Sequence, residues 1–232
     1  MRLKESFKIS SGKSKLIVPN KSKEHLDFTH NEQNDHILPF DEQHFLKHEP
    51  IINDIQQKNA IDDYKLSSRN INRSLFGVEK ASKTNEYYIG HISDVLKSSP
   101  KAIDDFHVYT GINSTRAPTK GDIHIPAFTS ATPDHRVAAA FADRHSTEIM
   151  KDENGDDKEV KVHHIIKIHV KKGQHVGGYI GNIGRRKDER EFLINKGHTL
   201  HFNGTVEDHV KEGSALSKPT VFRVHHATIT MD

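Results

Sequence analysis

The chain has 232 residues, 33% of them hydrophobic and 28% charged, enough to bury one sizeable core with or without an extension. Its 34 Lys and Arg against 32 Asp and Glu leave a formal charge of +2, which excludes the one-signed field of a protein built to coat nucleic acid or an anionic membrane. Cysteine is absent, excluding disulfides, thiolate nucleophiles and thiolate metal sites, and no apolar run reaches the length of a membrane-spanning helix. The opening Met1-Arg2-Leu3-Lys4 lacks the apolar segment of a secretion signal, so a cytoplasmic site of action is the default expectation.

Residues 1–35 are rich in Lys, Ser, Asn, Asp, Glu and His, the composition of a loosely structured extension, with Leu16-Ile17-Val18 as a possible short strand. Residues 36–232 read as the folded domain. From Ile37 to about Ser98 apolar residues recur at three-to-four spacing: Phe45-Leu46, Ile51-Ile52-x-x-Ile55, Ile61-x-x-Tyr64, Ile71-x-x-x-Leu75 and Ile92-x-x-Val95-Leu96. That period predicts short amphipathic helices joined by polar turns. Beyond Phe106 the pattern turns to strands, first at His107–Ile112 and Ala127–Thr132, before Pro133-Asp134 opens a helix over 136–142 with Thr132 as its expected N-cap. The polar run 152–157 reads as a hairpin tip, and Ile166, Ile168 and Val170 alternate onto the core face of the next strand. The glycines between Gly177 and Gly184 are followed by no Gly-Lys-Ser/Thr and no helix, so they predict a mobile loop rather than a nucleotide-phosphate loop. Strands at Thr199–Phe202 and Val221–Ile229 complete an α+β chain.

Two features carry chemistry. Glu189-Arg190-Glu191 stands at the head of the apolar run Phe192-Leu193-Ile194; read as a strand, it puts Glu189, Glu191 and Leu193 on one face and Arg190, Phe192 and Ile194 on the other. Two carboxylates facing one space repel each other, which points to carboxylate chemistry; the alternative is a solvated strand end. The 19 histidines invite a metal site, but the spacings His163-His164, His198-x-x-His201 and His225-His226 match no zinc pattern, and adjacent residues on a strand face opposite ways. No metal is expected, and most histidines are read as surface positions.

In chain order, Tyr109-Thr110-Gly111, Ser130-Ala131-Thr132 and Glu189-Arg190-Glu191 form a set that resembles the mono-ADP-ribosyltransferases of bacterial toxins and tailed phages. Ile61-Asp62-Asp63-Tyr64, Ser67-Ser68 and Ile71-Asn72-x-x-Leu75 look like the helix that enters that family's catalytic core, and the likeness spans roughly residues 38 to 230. The resemblance implies an ADP-ribosyltransferase-like fold, a helical N-terminal half packed on two small mixed sheets with NAD bound in the cleft between them. It implies that NAD is a substrate and that no metal is needed. Glu rather than Gln at Glu189 implies transfer of ADP-ribose to arginine on host proteins, transcription or translation machinery among them, by a monomer resembling the phage Alt and Mod enzymes.

The same resemblance assigns Glu191 to the ribose, Glu189 to the incoming guanidinium and Ser130 to holding Glu191, with Tyr109, Thr110, Gly111, Ser130 and Glu191 contacting NAD. Where the family carries an NAD-anchoring arginine this chain has Thr110, and Ala131 and Thr132 replace Thr and Ser. Arg116, or Arg136 and Arg144 on the following helix, could supply the missing charge. Arg185-Arg186-Lys187 is either a basic patch for an acidic or nucleic-acid-associated target or a solubilising turn. An NAD glycohydrolase and a noncatalytic binding module that retains the fold are the alternative functions.

Overall fold

The computed structural model describes residues 41–151, 155–211 and 218–231. The expected extension over 1–35, its strand Leu16-Ile17-Val18 and the turn residues Asp152, Glu153 and Asn154 lie outside the described residues. Helix α1 (Glu42–Leu46) is capped by Asp41, α2 (Ile55–Leu75) by Asp54 and α3 (Lys83–Lys97) by Ser82, each side chain accepting a hydrogen bond from the backbone N–H three residues on. Ser67 (φ −155°, ψ 70°) leaves helical geometry and kinks α2 into two helical stretches, the first carrying Ile61-x-x-Tyr64 and the second Ile71-x-x-x-Leu75. Ile51 and Ile52 precede that helix, because Asp54 caps it only after them. No described helix is long and apolar enough to cross a membrane.

The strands follow as β1 (Phe106–Ile112), β2 (Lys120–Ile125) and β3 (Thr129–Ala131), then helix α4 (His135–Phe141), β4 (His145–Lys151), β5 (Asp157–Val170), β6 (Gly177–Tyr179), β7 (Phe192–Ile194), β8 (His198–Lys211) and β9 (Thr220–Met231). Six of them form one sheet in the order β1-β5-β9-β8-β2 with β4 added on β5, and β3-β7-β6 form the other. The large sheet is mixed, since β5 runs parallel to β9, but the small one is antiparallel throughout, unlike the two mixed sheets expected. The helices before β1 occupy residues 42–97, a smaller share than a helical N-terminal half.

The layers follow from which faces are apolar. Val108, Ile112, Ile166, Ile168 and Val170 of the large sheet pack on Ala131, Tyr179, Phe192 and Ile194 of the small one, as the alternation along β5 predicts. The other face of the small sheet meets α2 and α3 through Leu193, Phe128, Ile61, Tyr64, Ile92 and Leu96. On the far side of the large sheet α4 covers Tyr109, Ile165, Phe222 and Val224 with Ala138. Each fully buried Ile or Phe contributes about 1.5–3 kcal/mol, against about 0–1 for a surface ion pair, so these layers and not the many charges hold the fold.

Candidate active site

A cleft of about 490 Å³ opens where the kinked part of α2 faces β1, β3 and the C-terminal half of α4. Tyr109, Thr110, Gly111, Ser130, Glu189 and Glu191 all line it, so the three motifs chosen from sequence meet in one place. Local backbone pairing brings the first two together: Tyr109 and Thr132 exchange N–H···O bonds of 2.7 and 2.8 Å, and the Thr110 hydroxyl donates to the Ser130 carbonyl at 3.0 Å. Gly111 is required because a Cβ there would strike the backbone of α4, the Ala138 carbonyl and the Ala142 nitrogen above all.

The glutamates are not on a strand. Lys187–Glu189 is a single 3₁₀ turn, and β7 begins only at Phe192. Arg186 (φ 53°) and Arg190 (φ 45°) bracket that turn in the left-handed region, which costs roughly 1–2 kcal/mol per residue and persists because side chains hold it. Arg190 donates to Asp134 Oδ2 at 2.6 Å, and Arg186 donates to Glu189 Oε1 at 2.9 Å. Both carboxylates thus reach the cleft while Arg190 points away from it, the facing expected of a strand but produced by a turn.

Glu191 is buried, and its environment differs sharply from that of the more exposed Glu189. Burial raises its pKa, opposed by a hydrogen bond from Ser130 and by the Lys65 charge, while the Glu189 charge adds to the rise. Its Oε2 has no hydrogen-bond partner among the described residues. Behind it, the Tyr64 hydroxyl lies 3.5 Å from Ser130 Oγ and accepts from Asn72 Nδ2 at 3.1 Å, and Asn72 also donates to the Phe128 carbonyl at 3.3 Å. Burial pushes the Tyr64 phenol up, so it stays a neutral donor.

Lys65 is the residue sequence reading missed. It stands one turn after Ile61 on the buried face of α2, and a lysine at such a position was the available signal. Its Nζ donates to the carbonyls of Ile180 and Ile183 at 3.2 and 3.1 Å, and Ile180 N–H in turn donates to the Glu191 carbonyl at 2.8 Å. Three residues earlier, Asp62 Oδ1 accepts from Arg185 N–H at 2.8 Å and packs against Gly184 (φ 69°) where any side chain would collide. The glycine passage is therefore not a free loop: it starts as β6 and is clamped to α2.

A model of the ADP-ribosyltransferase exoenzyme family matches residues 41–217. The chain belongs to that family. No curated protein matches it. Among solved structures it is similar to the ADP-ribosylating toxin BECa of a Clostridium perfringens binary enterotoxin, solved with NADH, at 21% identity, TM-score 0.56, covering 76% of this chain and 44% of that one. It is similar to the enzymatic component C2-I of Clostridium botulinum C2 toxin (15%, TM-score 0.55, 75% and 44%) and to the Clostridium limosum C3 exoenzyme (15%, 0.50, 79% and 90%). These likenesses give the ADP-ribosyltransferase toxin fold, and the chain spans less than half the length of the first two.

The resemblance implies an NAD-anchoring arginine where this ADP-ribosyltransferase family member has Thr110. None of the three substitutes suggested by sequence lines the cleft. Arg136 is buried and bidentate on Asp134, at 3.0 and 2.7 Å; Arg144 lies beyond the end of α4, and Arg116 is exposed. The arginines that do line it are Arg69 and Arg73 from α2, and Arg186. The cap of α4 is Asp134 rather than Thr132, whose hydroxyl accepts from Asp134 N–H at 3.2 Å. Among the described residues no three metal-ligating side chains converge, and five histidines (His48, His164, His198, His209 and His225) are buried rather than at the surface.

Proposed function

We propose that this ADP-ribosyltransferase transfers the ADP-ribose of NAD to arginine side chains of other proteins, with nicotinamide released. The observation that carries the reading is the unequal glutamate pair on one cleft, Glu191 buried with an oxygen that has no hydrogen-bond partner among the described residues and Glu189 nearer solvent. Breaking the bond between nicotinamide and ribose leaves positive charge on the ribose, which an adjacent carboxylate stabilises. Glu191 takes that role and accepts a ribose hydroxyl at Oε2, while Ser130 and Tyr64 hold it. Nicotinamide leaves with the bonding electron pair, a guanidinium nitrogen bonds to the ribose carbon, and Glu189 takes the proton the guanidinium loses. Tyr109, Thr110 and Gly111 form the wall for the nicotinamide end. With Thr110 committed to Ser130, Arg69 on α2 supplies the charge for the pyrophosphate.

The motif resemblance to the phage Alt and Mod enzymes extends the proposal to a monomeric catalytic domain over 36–232 that acts in a host cytoplasm. The test is incubation of the purified protein with labelled NAD in bacterial lysate, followed by mass spectrometry of the modified side chain. Label on arginine supports the reading, nicotinamide release without labelled protein selects the glycohydrolase, and absence of NAD binding by calorimetry selects the noncatalytic module.

A further inference from the structure

Glu189, the carboxylate given to the acceptor, already holds a guanidinium from its own chain. Arg186 Nη1 donates to Glu189 Oε1 at 2.9 Å, and Arg186 lines the same cleft as Glu191 and Ser130. Its side chain is 48% exposed against 19% for Glu189, so the pair sits at the mouth of the cleft where an acceptor would enter. The neighbouring basic residue is differently disposed: Arg185 gives its backbone N–H to Asp62 on α2 and lines a separate hollow with Tyr87 and Tyr88. Around Arg186 the backbone is fixed, with Gly184 packed on Asp62 and the 3₁₀ turn closed by Glu189 N–H to the Arg186 carbonyl at 3.2 Å. The Arg186 side chain is therefore delivered to Glu189 by an anchored loop.

We propose that Arg186 is itself an acceptor, and that this chain attaches one ADP-ribosyl group to it in cis. The inference rests on the arginine-transfer reading and extends it to a modification site. The bond between nicotinamide and ribose breaks with its electron pair leaving on nicotinamide, a terminal Arg186 nitrogen bonds to the ribose carbon, and the displaced proton passes to Glu189. No further reactant is needed. Tethering makes the step effectively unimolecular and independent of any encounter with a second protein. Afterwards the bulky, negatively charged group fills the mouth of the cleft, and the modified protein is impaired toward other acceptors.

The experiment uses the full chain with NAD alone, and with NAD plus agmatine as a small guanidine probe, read by intact mass and peptide mapping. One added ADP-ribosyl group on Arg186, formed with a rate constant unchanged over a hundredfold dilution of protein, is the expected result. Arg186→Lys should lose that mass, and agmatine modification by the unaltered chain shows that the preparation is active. Agmatine modification without any self-modification, or self-modification elsewhere, overturns the proposal and leaves the arginine-transfer reading intact. No modification of agmatine, Arg186 or lysate protein overturns both. A rate that rises with protein concentration overturns the cis step.

Discussion

Arg190 and Asp134 are joined by a 2.6 Å hydrogen bond that ties the glutamate turn to the N-terminus of α4, 56 residues away in sequence. Asp134 is buried, and burial opposes its charge, yet hydrogen bonds from Arg136 and the charges of Arg136 and Arg190 hold its carboxyl below the usual range. It caps α4 and receives both arginines, so its removal takes the cap from α4 and a bidentate carboxylate from the buried Arg136. Asp134→Ala should cost about 3–5 kcal/mol in urea unfolding. Arg190→Ala should cost clearly less, because Asp134 keeps Arg136, and a loss equal to that of Asp134→Ala would contradict this ordering.

The two glutamates should separate kinetically. Glu191→Gln keeps the shape but removes the charge from the ribose side, so NAD cleavage should fall about 100–1,000-fold or more with water or guanidine as acceptor. Glu189→Gln should reduce transfer to agmatine while NAD hydrolysis partly survives. Equal loss of both reactions in Glu189→Gln, measured by nicotinamide release beside agmatine modification, would undo the division of roles.

Lys65 sets the charge environment of Glu191. Burial lowers the lysine's own pKa, opposed by Glu191, Glu189, Asp62 and Asp188, and its ammonium works against the rise that burial imposes on Glu191. Lys65→Gln keeps a donor for the Ile180 and Ile183 carbonyls without the charge, so the Glu191 titration should move to higher pH. Carbon-13 NMR of labelled glutamate side chains, with Glu191→Gln for assignment, reads this directly. An unmoved midpoint would reduce Lys65 to a structural anchor.

Arg69 should matter for NAD binding rather than for the chemical step. Hydrogen bonds to charged groups are worth about 1.5–3 kcal/mol, so Arg69→Ala should weaken NAD binding by roughly 10–100-fold in calorimetry. Undiminished affinity would hand the pyrophosphate to Arg73.

The buried histidines make stability depend on pH. His164 Nδ1 and His225 Nε2 lie 2.9 Å apart between β5 and β9. Burial depresses both pKa values; Arg223 adds to the depression at both, His225 also feels His164 and His226, and Glu148 and Asp208 partly oppose it at His164. Histidines depressed below the ordinary imidazole value of about 6.5 are neutral in the fold and take up protons on unfolding. Their stabilisation is complete above that value and lost progressively as the pH falls below it, at about 1.4 kcal/mol per pH unit for each proton bound. Unfolding free energy measured between pH 7 and 5 should fall, and less steeply in His225→Phe; parallel slopes would exonerate the pair.

By itself the sequence determined what depends on short spacings. The three-to-four periodicity placed α2 and α3 and the alternation of Ile166, Ile168 and Val170 identified the core face of β5, while the family resemblance picked out six residues that line one cleft. The first two are local properties, because neighbours along a helix or strand share a face whatever the rest of the chain does. The tertiary structure decided the rest. The turn at Lys187–Glu189, the clamp of Lys65 on residues 115 and 118 positions away, the capture of Arg190 by Asp134, and the meeting of Arg69, Arg73 and Arg186 at one opening all join distant parts of the chain. Glu189 and Glu191 were legible as a pair, but burial and Lys65 make them unequal, and burial is a property of the packed fold that spacing does not encode.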